Sequence, residues 1–235
     1  MFRRLIAHAA ARLLPPTCVL CGAPGDAGLD LCAACRDELP RNRSACARCA
    51  LPLPTAAAAG ALCGACQQHS PPQAAAFVPY LYQDNIPALI AGAKFHGRLN
   101  QARLLGLCLA YSVREAGVTR PDLIIPVPLH PKRLQTRGYN QALEIARALS
   151  KELAIPVDAD TCVRLRAITP QEGLEKEARR RNVSGAFGVT APIKVGHVAL
   201  LDDVVTTGST AAEVANTLLQ AGAGRVDLWA VARTP

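Results

Sequence analysis

Apolar and polar positions alternate along residues 74–235 in a way that predicts strands and helices in turn. Short apolar runs bounded by polar or turn residues predict strands at 74–82, 122–127, 162–166, 198–201 and 226–231. Apolar residues at helical spacing predict helices at 86–95, 101–115, 141–153 and from Thr210 to Gly222. Strands that alternate with helices indicate an α/β domain with a mostly parallel sheet flanked by helices.

The first sixteen residues show a different pattern, in which apolar residues recur at helical spacing with arginines between them. This predicts an amphipathic N-terminal helix over 1–16. A secretory signal is not expected, because Arg12 and the Pro15-Pro16 pair interrupt the apolar run. No apolar run is long enough for a transmembrane span, so we expect a cytoplasmic location. The helix is expected to dock on the neighbouring domain, with contact to membrane lipid as the alternative.

Eight of the ten cysteines form four C-x-x-C pairs in a segment with few large apolar residues. Two pairs supply the four thiolates of a tetrahedral zinc site, and zinc binding then provides folding free energy. A disulfide scaffold or a redox motif fits less well without a secretory signal and with four copies in one short segment. We predict two structural zinc ions, held by pairs one and two and by pairs three and four; the spacing also allows a cross-brace. The predicted ligands are Cys18, Cys21, Cys32, Cys35, Cys46, Cys49, Cys63 and Cys66.

These patterns divide the chain into the helix over 1–16, a double zinc-ribbon module over 17–68 and an α/β domain over 74–235. The segment 52–61, rich in Ala and Pro, is interpreted as an insertion within the metal module, and 69–73 as the linker. Cys108 and Cys162 stand alone in apolar surroundings and are predicted to be core residues.

The segment 198–210 carries the strongest functional signal in the chain. A buried apolar strand ends at Asp202 and Asp203, where open α/β sheets place their ligand sites. A turn of Thr, Gly and Ser then opens a helix, with Thr210 and Glu213 at capping-box spacing. Helix N–H groups bind phosphate, whereas carboxylates repel it and accept hydrogen bonds from sugar hydroxyls. The combination predicts a ribose 5-phosphate site rather than a metal site, a phospho-acceptor or a polar strand end.

This segment resembles the phosphoribosyl pyrophosphate (PRPP) loop of type I phosphoribosyltransferases. The resemblance implies that Asp202 and Asp203 hold the ribose hydroxyls and are the catalytic carboxylates, while Thr206 to Thr210 wrap the 5-phosphate. It also implies Mg²⁺, held chiefly by pyrophosphate and ribose oxygens. The implied PRPP-binding residues are Asp202, Asp203, Val204, Val205, Thr206, Thr207, Gly208, Ser209 and Thr210.

Two further motifs widen the resemblance to nearly the whole chain. Arg-Gly-Tyr-Asn-Gln at 137–141 and Arg-x-x-Asn-Val-x-Gly-Ala-Phe at 179–187, together with the four cysteine pairs, resemble the ComF family. This family comprises bacterial phosphoribosyltransferase-like proteins associated with competence for DNA uptake. The resemblance implies that Arg133, Arg137 and Arg179 lie near the pyrophosphate and that 169–185 forms a hood over the site. A solvated basic face and an ordinary loop are the alternatives.

The formal net charge of +8 favours anionic partners, and the aromatic content of 4% argues against a sheet of base-stacking platforms. Three hypotheses follow. The first is a PRPP-binding phosphoribosyltransferase-like protein acting in DNA uptake or processing. The second is a nucleobase-salvage phosphoribosyltransferase. The third is a non-catalytic adaptor regulated by PRPP, with single-stranded DNA or a DNA-translocating motor protein as its partner.

Overall fold

The computed structural model describes residues 15–26, 28–54, 57–95, 97–166 and 185–235. Most of the predicted helix over 1–16, most of the hood over 169–185 and Arg179 lie outside these described residues. The seven helices of the described ranges are α1 (Ala33–Asp37), α2 (Gly64–Gln68), α3 (Ile86–Phe95), α4 (Leu99–Glu115), α5 (Pro131–Arg137), α6 (Gln141–Leu153) and α7 (Ser209–Gln220).

The main sheet is parallel at every pairing of its strands. It comprises β1 (Ala75–Phe77), β2 (Tyr80–Leu81), β3 (Leu123–Pro126), β6 (His197–Val205) and β7 (Arg225–Arg233). The spatial order is β1-β7-β6-β3, and β2 also pairs with β7. A separate antiparallel pair is formed by β4 (Cys162–Arg164) and β5 (Phe187–Val189). The predicted α/β architecture with a mostly parallel sheet is confirmed.

The sheet is buried on both faces by helices, as its apolar strands predict. In β6, Ala199 and Leu201 belong to one apolar cluster, with residues of α3, α4 and α6, while Val198 and Leu200 belong to another, with residues of α7. All four side chains have 0% exposure. Because neighbouring strand residues point to opposite faces, this run of apolar residues is needed to cover both sides.

The two helices predicted at 86–95 and 141–153 have these same bounds in the structure, whereas the strand expected at 74–82 is split into β1 and β2. Pro79 lies between the two pieces and has no N–H to donate to a ladder, which accounts for the break. The helix predicted from 101 begins at Leu99. The proline-rich segment after β3 forms the short helix α5, with Pro131 in its first turn and the His130 imidazole as its N-cap.

Candidate functional site

The strand that carries the carboxylates is longer than its sequence predicts. We expected it to end at Leu201, but β6 continues through Asp202 and Asp203 to Val205. Asp202 pairs in register with Ala230 of β7, and the pairing continues with Val204 and Val205 up to Arg233. The two carboxylates therefore belong to the strand near its C-terminal end, rather than to a loop.

Asp203 is buried and forms an ion pair with Lys94, in the last turn of α3. Lys94 Nζ lies 2.7 Å from Asp203 Oδ2, with side-chain exposures of 23% and 6%. Asp203 Oδ1 accepts a hydrogen bond from the Val204 N–H at 2.7 Å. Lys94 thus supplies the counter-charge that a buried carboxylate needs. Its role was not predicted from the sequence.

Asp202 lies in a different electrostatic environment. Its Oδ1 accepts a hydrogen bond from the Asp203 N–H at 2.8 Å. Burial, and secondly the negative charge of Asp203, raise the pKa of Asp202 to about 7, while the positive charge of Lys94 opposes the shift. Asp202 therefore keeps its proton to a higher pH than an ordinary carboxyl group does.

The phosphate loop, residues 206–210, begins where β6 ends and leads into α7. Gly208 is the N-cap in the left-handed conformation (φ 77°), and the Ser209 N–H at the start of α7 donates to Thr207 Oγ1 at 3.4 Å. Thr207 Oγ1 and Ser209 Oγ lie 3.0 Å apart at the turn. The capping box predicted from Thr210 and Glu213 is wrong. The N-cap is Gly208, two residues before Thr210, and Glu213 Oε1 instead accepts a hydrogen bond from the Gly185 N–H at 2.6 Å.

The motif at 137–141 has a structural role beside the site. Gly138 ends α5 in the left-handed conformation, and Asn140 caps α6, its Nδ2 donating to the Val127 carbonyl at 3.0 Å. The Tyr139 hydroxyl donates to the Ala93 carbonyl in α3. The motif thereby fixes α5 and α6 against the helix that carries Lys94.

The predicted arginines of α5 are placed differently from each other. The guanidinium of Arg137 lies 5.3 Å from the centre of the Phe95 ring, and its Nη1 donates to Gln141 Oε1 at 2.6 Å. Arg133 is partly buried and close enough to Arg164 for its charge to be felt there. Arg133 therefore lies near Arg164, whereas Arg137 is held by its neighbours.

Arg164, on β4, is a site residue that sequence reasoning missed. Burial, and secondly the charge of Arg133, lower its pKa, while the charge of Asp202 opposes this. Its Nε is buried without a hydrogen-bond partner in the described part of the chain, and its guanidinium stacks on Phe187 at 5.4 Å. A buried N–H donor without a partner is costly, so this one is available for a ligand.

The cysteines converge as two groups of four. In each group all four sulfur atoms lie within 4.8 Å of one another, and the Cys21–Cys32 and Cys49–Cys63 sulfur pairs are 3.7 Å apart. Zn–S bonds of about 2.3 Å in a tetrahedron place sulfur atoms about 3.8 Å apart, so each group fits one zinc ion. The pairing is sequential as predicted, not a cross-brace. The first site is formed by Cys18, Cys21, Cys32 and Cys35, and the second by Cys46, Cys49, Cys63 and Cys66.

Parallel sheet, strand-end carboxylates and paired Cys₄ sites together define a phosphoribosyltransferase-like protein with a double zinc ribbon. The family model of the double zinc ribbon domain matches residues 9–69. DNA utilization protein YhgH of Escherichia coli O157:H7 is 36% identical over 226 residues, covering 94% of this chain and 98% of the relative. Competence protein F of Haemophilus influenzae is 32% identical over 210 residues, covering 86% and 90%. The chain belongs to the family of these two proteins, the ComF family.

Among solved structures, purine phosphoribosyltransferase from Pyrococcus horikoshii is 25% identical, with a TM-score of 0.32, over 57% of this chain and 82% of its own. That superposition is partial, and the family assignment rests on the sequence relatives. Within the described ranges, none of the helices combines the length and the apolar character required to cross a bilayer.

Proposed function

We propose that this protein binds PRPP through the Asp202–Asp203 pair and the phosphate loop and acts in DNA uptake or processing. One observation carries the proposal. A strand that carries two carboxylates near its C-terminal end, one of them paired with Lys94, leads through a Thr, Gly and Ser turn directly into the N-terminus of a helix. Carboxylates accept hydrogen bonds from the ribose hydroxyls, and the N–H groups of a helix N-terminus, with the loop hydroxyls, bind the 5-phosphate.

Mg²⁺ fits the same site as a cation held mainly by the pyrophosphate and ribose oxygens of the ligand. Asp202 and Asp203 are hard oxygen donors of the type that Mg²⁺ prefers, and they would support it from the protein side. The ion would shield the negative charge of the pyrophosphate. The chain's own contribution is to orient the ribose on β6 and to hold the phosphate at the loop.

In a transfer reaction, the bond between ribose C1 and the pyrophosphate oxygen breaks, and a bond from the acceptor to C1 forms. The electron pair of the broken bond leaves with pyrophosphate, whose growing charge needs cations nearby. We propose Arg164, whose pKa the charge of Asp202 affects, and its neighbour Arg133 as two of these cations. We also propose that Arg137 and Arg179 lie near the pyrophosphate, with Arg179 in the hood over the site.

The proposed link to DNA draws on the relatives, whose names refer to DNA utilization and to competence. The net charge of +8 is in keeping with a polyanionic partner. We accordingly propose single-stranded DNA and a DNA-translocating motor protein as partners, and a cytoplasmic location. We also retain the division into 1–16, 17–68 and 74–235 as the proposed domain organisation.

The test is calorimetric titration of PRPP with Mg²⁺ into zinc-loaded protein, with and without single-stranded DNA. We expect binding whose affinity changes when DNA is present, because coupling between two sites is reciprocal. The variants Asp202→Asn and Asp203→Asn should weaken PRPP binding, whereas Glu152→Gln, a change at an exposed carboxylate in the last turn of α6, should not.

Each other outcome has a defined meaning. Binding that DNA leaves unchanged would contradict the DNA part of the proposal and indicate transfer to a small molecule. No PRPP binding by a folded, zinc-loaded protein would contradict the proposal as a whole and favour a non-catalytic adaptor.

A further inference from the structure

Arg233 is a buried cation at the end of β7, directly behind the phosphate loop. Its residue exposure is 6%. Nη1 donates to the Val205 carbonyl at 3.1 Å and to the Thr206 carbonyl, at the start of the loop. Nε donates to the carbonyl of Cys49, a ligand of the second zinc site, at 3.2 Å. One rigid guanidinium therefore joins the base of the phosphate loop to a zinc knuckle.

The second ribbon is attached to the sheet at further points. The Ala47 carbonyl accepts a hydrogen bond from the Ala76 N–H at 2.8 Å, beside β1. The buried side chain of Gln73 donates to the Arg48 carbonyl at 3.0 Å. Ala50 has 0% exposure and lies in the same apolar cluster as Val205. The knuckle around Cys49 is therefore part of the wall on which the loop rests.

The first ribbon packs elsewhere. Cys18 and Cys35 lie in the other apolar cluster, with residues of α3 and α4 such as Ile90 and Leu105. Among the described hydrogen bonds of Arg233, none reaches that ribbon. The two zinc sites are therefore distinguishable by position: one adjoins the phosphate loop and the other adjoins the helices on the opposite face.

The buried positive charge of Arg233 also links this residue to the second zinc site. Its described hydrogen bonds all go to neutral oxygens: four backbone carbonyls and the Thr234 hydroxyl. A buried cation is costly without a counter-charge. Zn²⁺ on four thiolates carries a net charge of −2, because four negative ligands exceed the two positive charges of the ion. Zinc in the second site would therefore supply the negative charge that Arg233 needs.

We propose that Arg233 is a positioning residue that couples zinc occupancy of the second Cys₄ site to the conformation of the phosphate loop. Zinc loading there, and not at the first site, sets the affinity of the loop for a ribose 5-phosphate group. The ligand part rests on the proposed function, whereas the coupling of zinc site to loop does not. Because linkage is reciprocal, a bound ligand must in turn retain the second zinc ion.

The first arm of the test is amide hydrogen exchange on zinc-loaded wild type, Arg233→Met and Arg233→Lys. The reporters are the amides of Ala212 and Thr234, which donate to the Gly208 and Val205 carbonyls at 2.9 and 3.0 Å. We expect exchange about tenfold faster in Arg233→Met, within the usual range of coupling between sites. Arg233→Lys keeps the positive charge but loses the planar guanidinium with its several donors. Its exchange rates should lie between those of wild type and Arg233→Met.

Arg225→Met is the matched control, since Arg225 lies at the opposite end of the same strand and pairs with Asp227 at 2.9 Å. It should leave the two reporter amides unchanged. Unchanged reporters in Arg233→Met would overturn the proposal, as would acceleration equal to that of the whole sheet. If Arg233→Met does not fold, the exchange rates of the two reporter amides in Arg233→Lys test the proposal, and rates equal to those of wild type would overturn it.

The second arm measures zinc release to a chelator, with ribose 5-phosphate and PRPP·Mg²⁺ as probes. We expect either ligand to slow release of one zinc ion several-fold in wild type. The effect should persist in Cys18→Ala/Cys21→Ala, which lacks the first site, and should be lost in Arg233→Met. Ligand that binds but leaves zinc release unchanged would overturn the coupling and leave the proposed function intact. Absence of binding to wild type would refute the proposed function, while the exchange arm still tests the link between Arg233 and the loop on which the coupling depends.

Discussion

At the scale of single residues, the carboxylates of β6 are chemically unequal. Asp203 is paired with Lys94, whereas burial and the neighbouring charge raise the pKa of Asp202 to about 7. The ionised form of Asp202 is the one that accepts hydrogen bonds from ribose hydroxyls or supports Mg²⁺. We therefore expect affinity for PRPP·Mg²⁺ to rise with pH across about 6 to 8, by up to about tenfold per pH unit below the pKa. Calorimetric titrations at several pH values measure this.

Asp202→Asn is the control for this prediction, because it keeps the shape but removes the titrating group. Its affinity should be lower and should follow only the titration of the ligand's own phosphates. Lys94→Met should move the midpoint to higher pH, because Lys94 opposes the rise in the pKa of Asp202. Equal midpoints in wild type and Lys94→Met would contradict this assignment.

The raised pKa of Asp202 also makes the stability of the folded state depend on pH. The folded state holds the Asp202 proton more strongly than the unfolded chain, so the stability this contributes is present below about pH 4 and is lost as the pH rises through about 7. Ionisation of Asp202 near neutral pH, which the proposed function requires, therefore costs stability at this residue.

Which site residues could be predicted depended on their separation along the chain. Asp202, Asp203 and the phosphate loop are contiguous, so their order alone indicated a sugar-phosphate site. Lys94 and Arg164 reach the same site from α3 and β4, and only the fold brings them there. Thr210 and Glu213 have the spacing of a capping box, but the Glu213 carboxylate accepts a hydrogen bond from the Gly185 N–H, a tertiary contact that the local sequence does not indicate.

At the scale of elements, the turn between β6 and α7 depends on a residue that tolerates the left-handed conformation. Gly208 has φ +77°, and an added Cβ would meet only Val205 Cγ1, at 4.0 Å. Gly208→Ala therefore costs backbone strain rather than a clash, about 1 kcal/mol of unfolding free energy. We expect it also to weaken PRPP·Mg²⁺ binding about tenfold, because strain of this size tilts the loop away from its bound form. Denaturant unfolding and calorimetry give the two quantities.

Gly117→Ala is the matched control. Gly117 has φ +60° with nothing within 4 Å of an added Cβ, and it follows α4, away from the loop. It should lose about as much stability as Gly208→Ala and keep wild-type affinity. Equal loss of affinity in both variants would mean that the loop responds to global stability alone.

Elements were predictable where local preference and tertiary environment agree. The bounds of α6 followed from its apolar spacing, and Asn140 supplies a side-chain cap. The prediction of one continuous strand over 74–82 was wrong because Pro79 interrupts the apolar run. β6 was predicted too short because acidic residues are rarely expected inside a strand, yet Asp202 pairs with Ala230 of β7 and Lys94 neutralises the buried Asp203.

At the scale of the whole molecule, the zinc module and the α/β domain are joined by packing as well as by chain. Leu31 and Leu39, of the first ribbon, lie in the same apolar cluster as Leu105 in α4 and Trp229 in β7. Cysteine spacing predicted both zinc sites but contained no information about this contact, which depends on apolar residues between the cysteine pairs. We therefore expect loss of zinc from the first site to destabilise the core of the main domain as well.

Removing the first zinc site tests that continuity. Wild type should carry two zinc ions per chain, as its two Cys₄ groups require, and Cys18→Ala/Cys21→Ala should carry one. The unfolding free energy of the whole chain should fall by about 3 kcal/mol or more, a part of the roughly 10 kcal/mol that a structural zinc ion contributes.

Cys108→Ala provides the comparison, because Cys108 is buried in the same cluster but belongs to neither zinc group. It should keep two zinc ions and lose only the smaller free energy of a shortened core side chain, about 1 kcal/mol. If the double variant lost one zinc ion without any change in the unfolding of the main domain, the first ribbon would be an independent unit. A single, shifted transition would instead show that zinc at one end of the chain stabilises the sheet that carries the carboxylates.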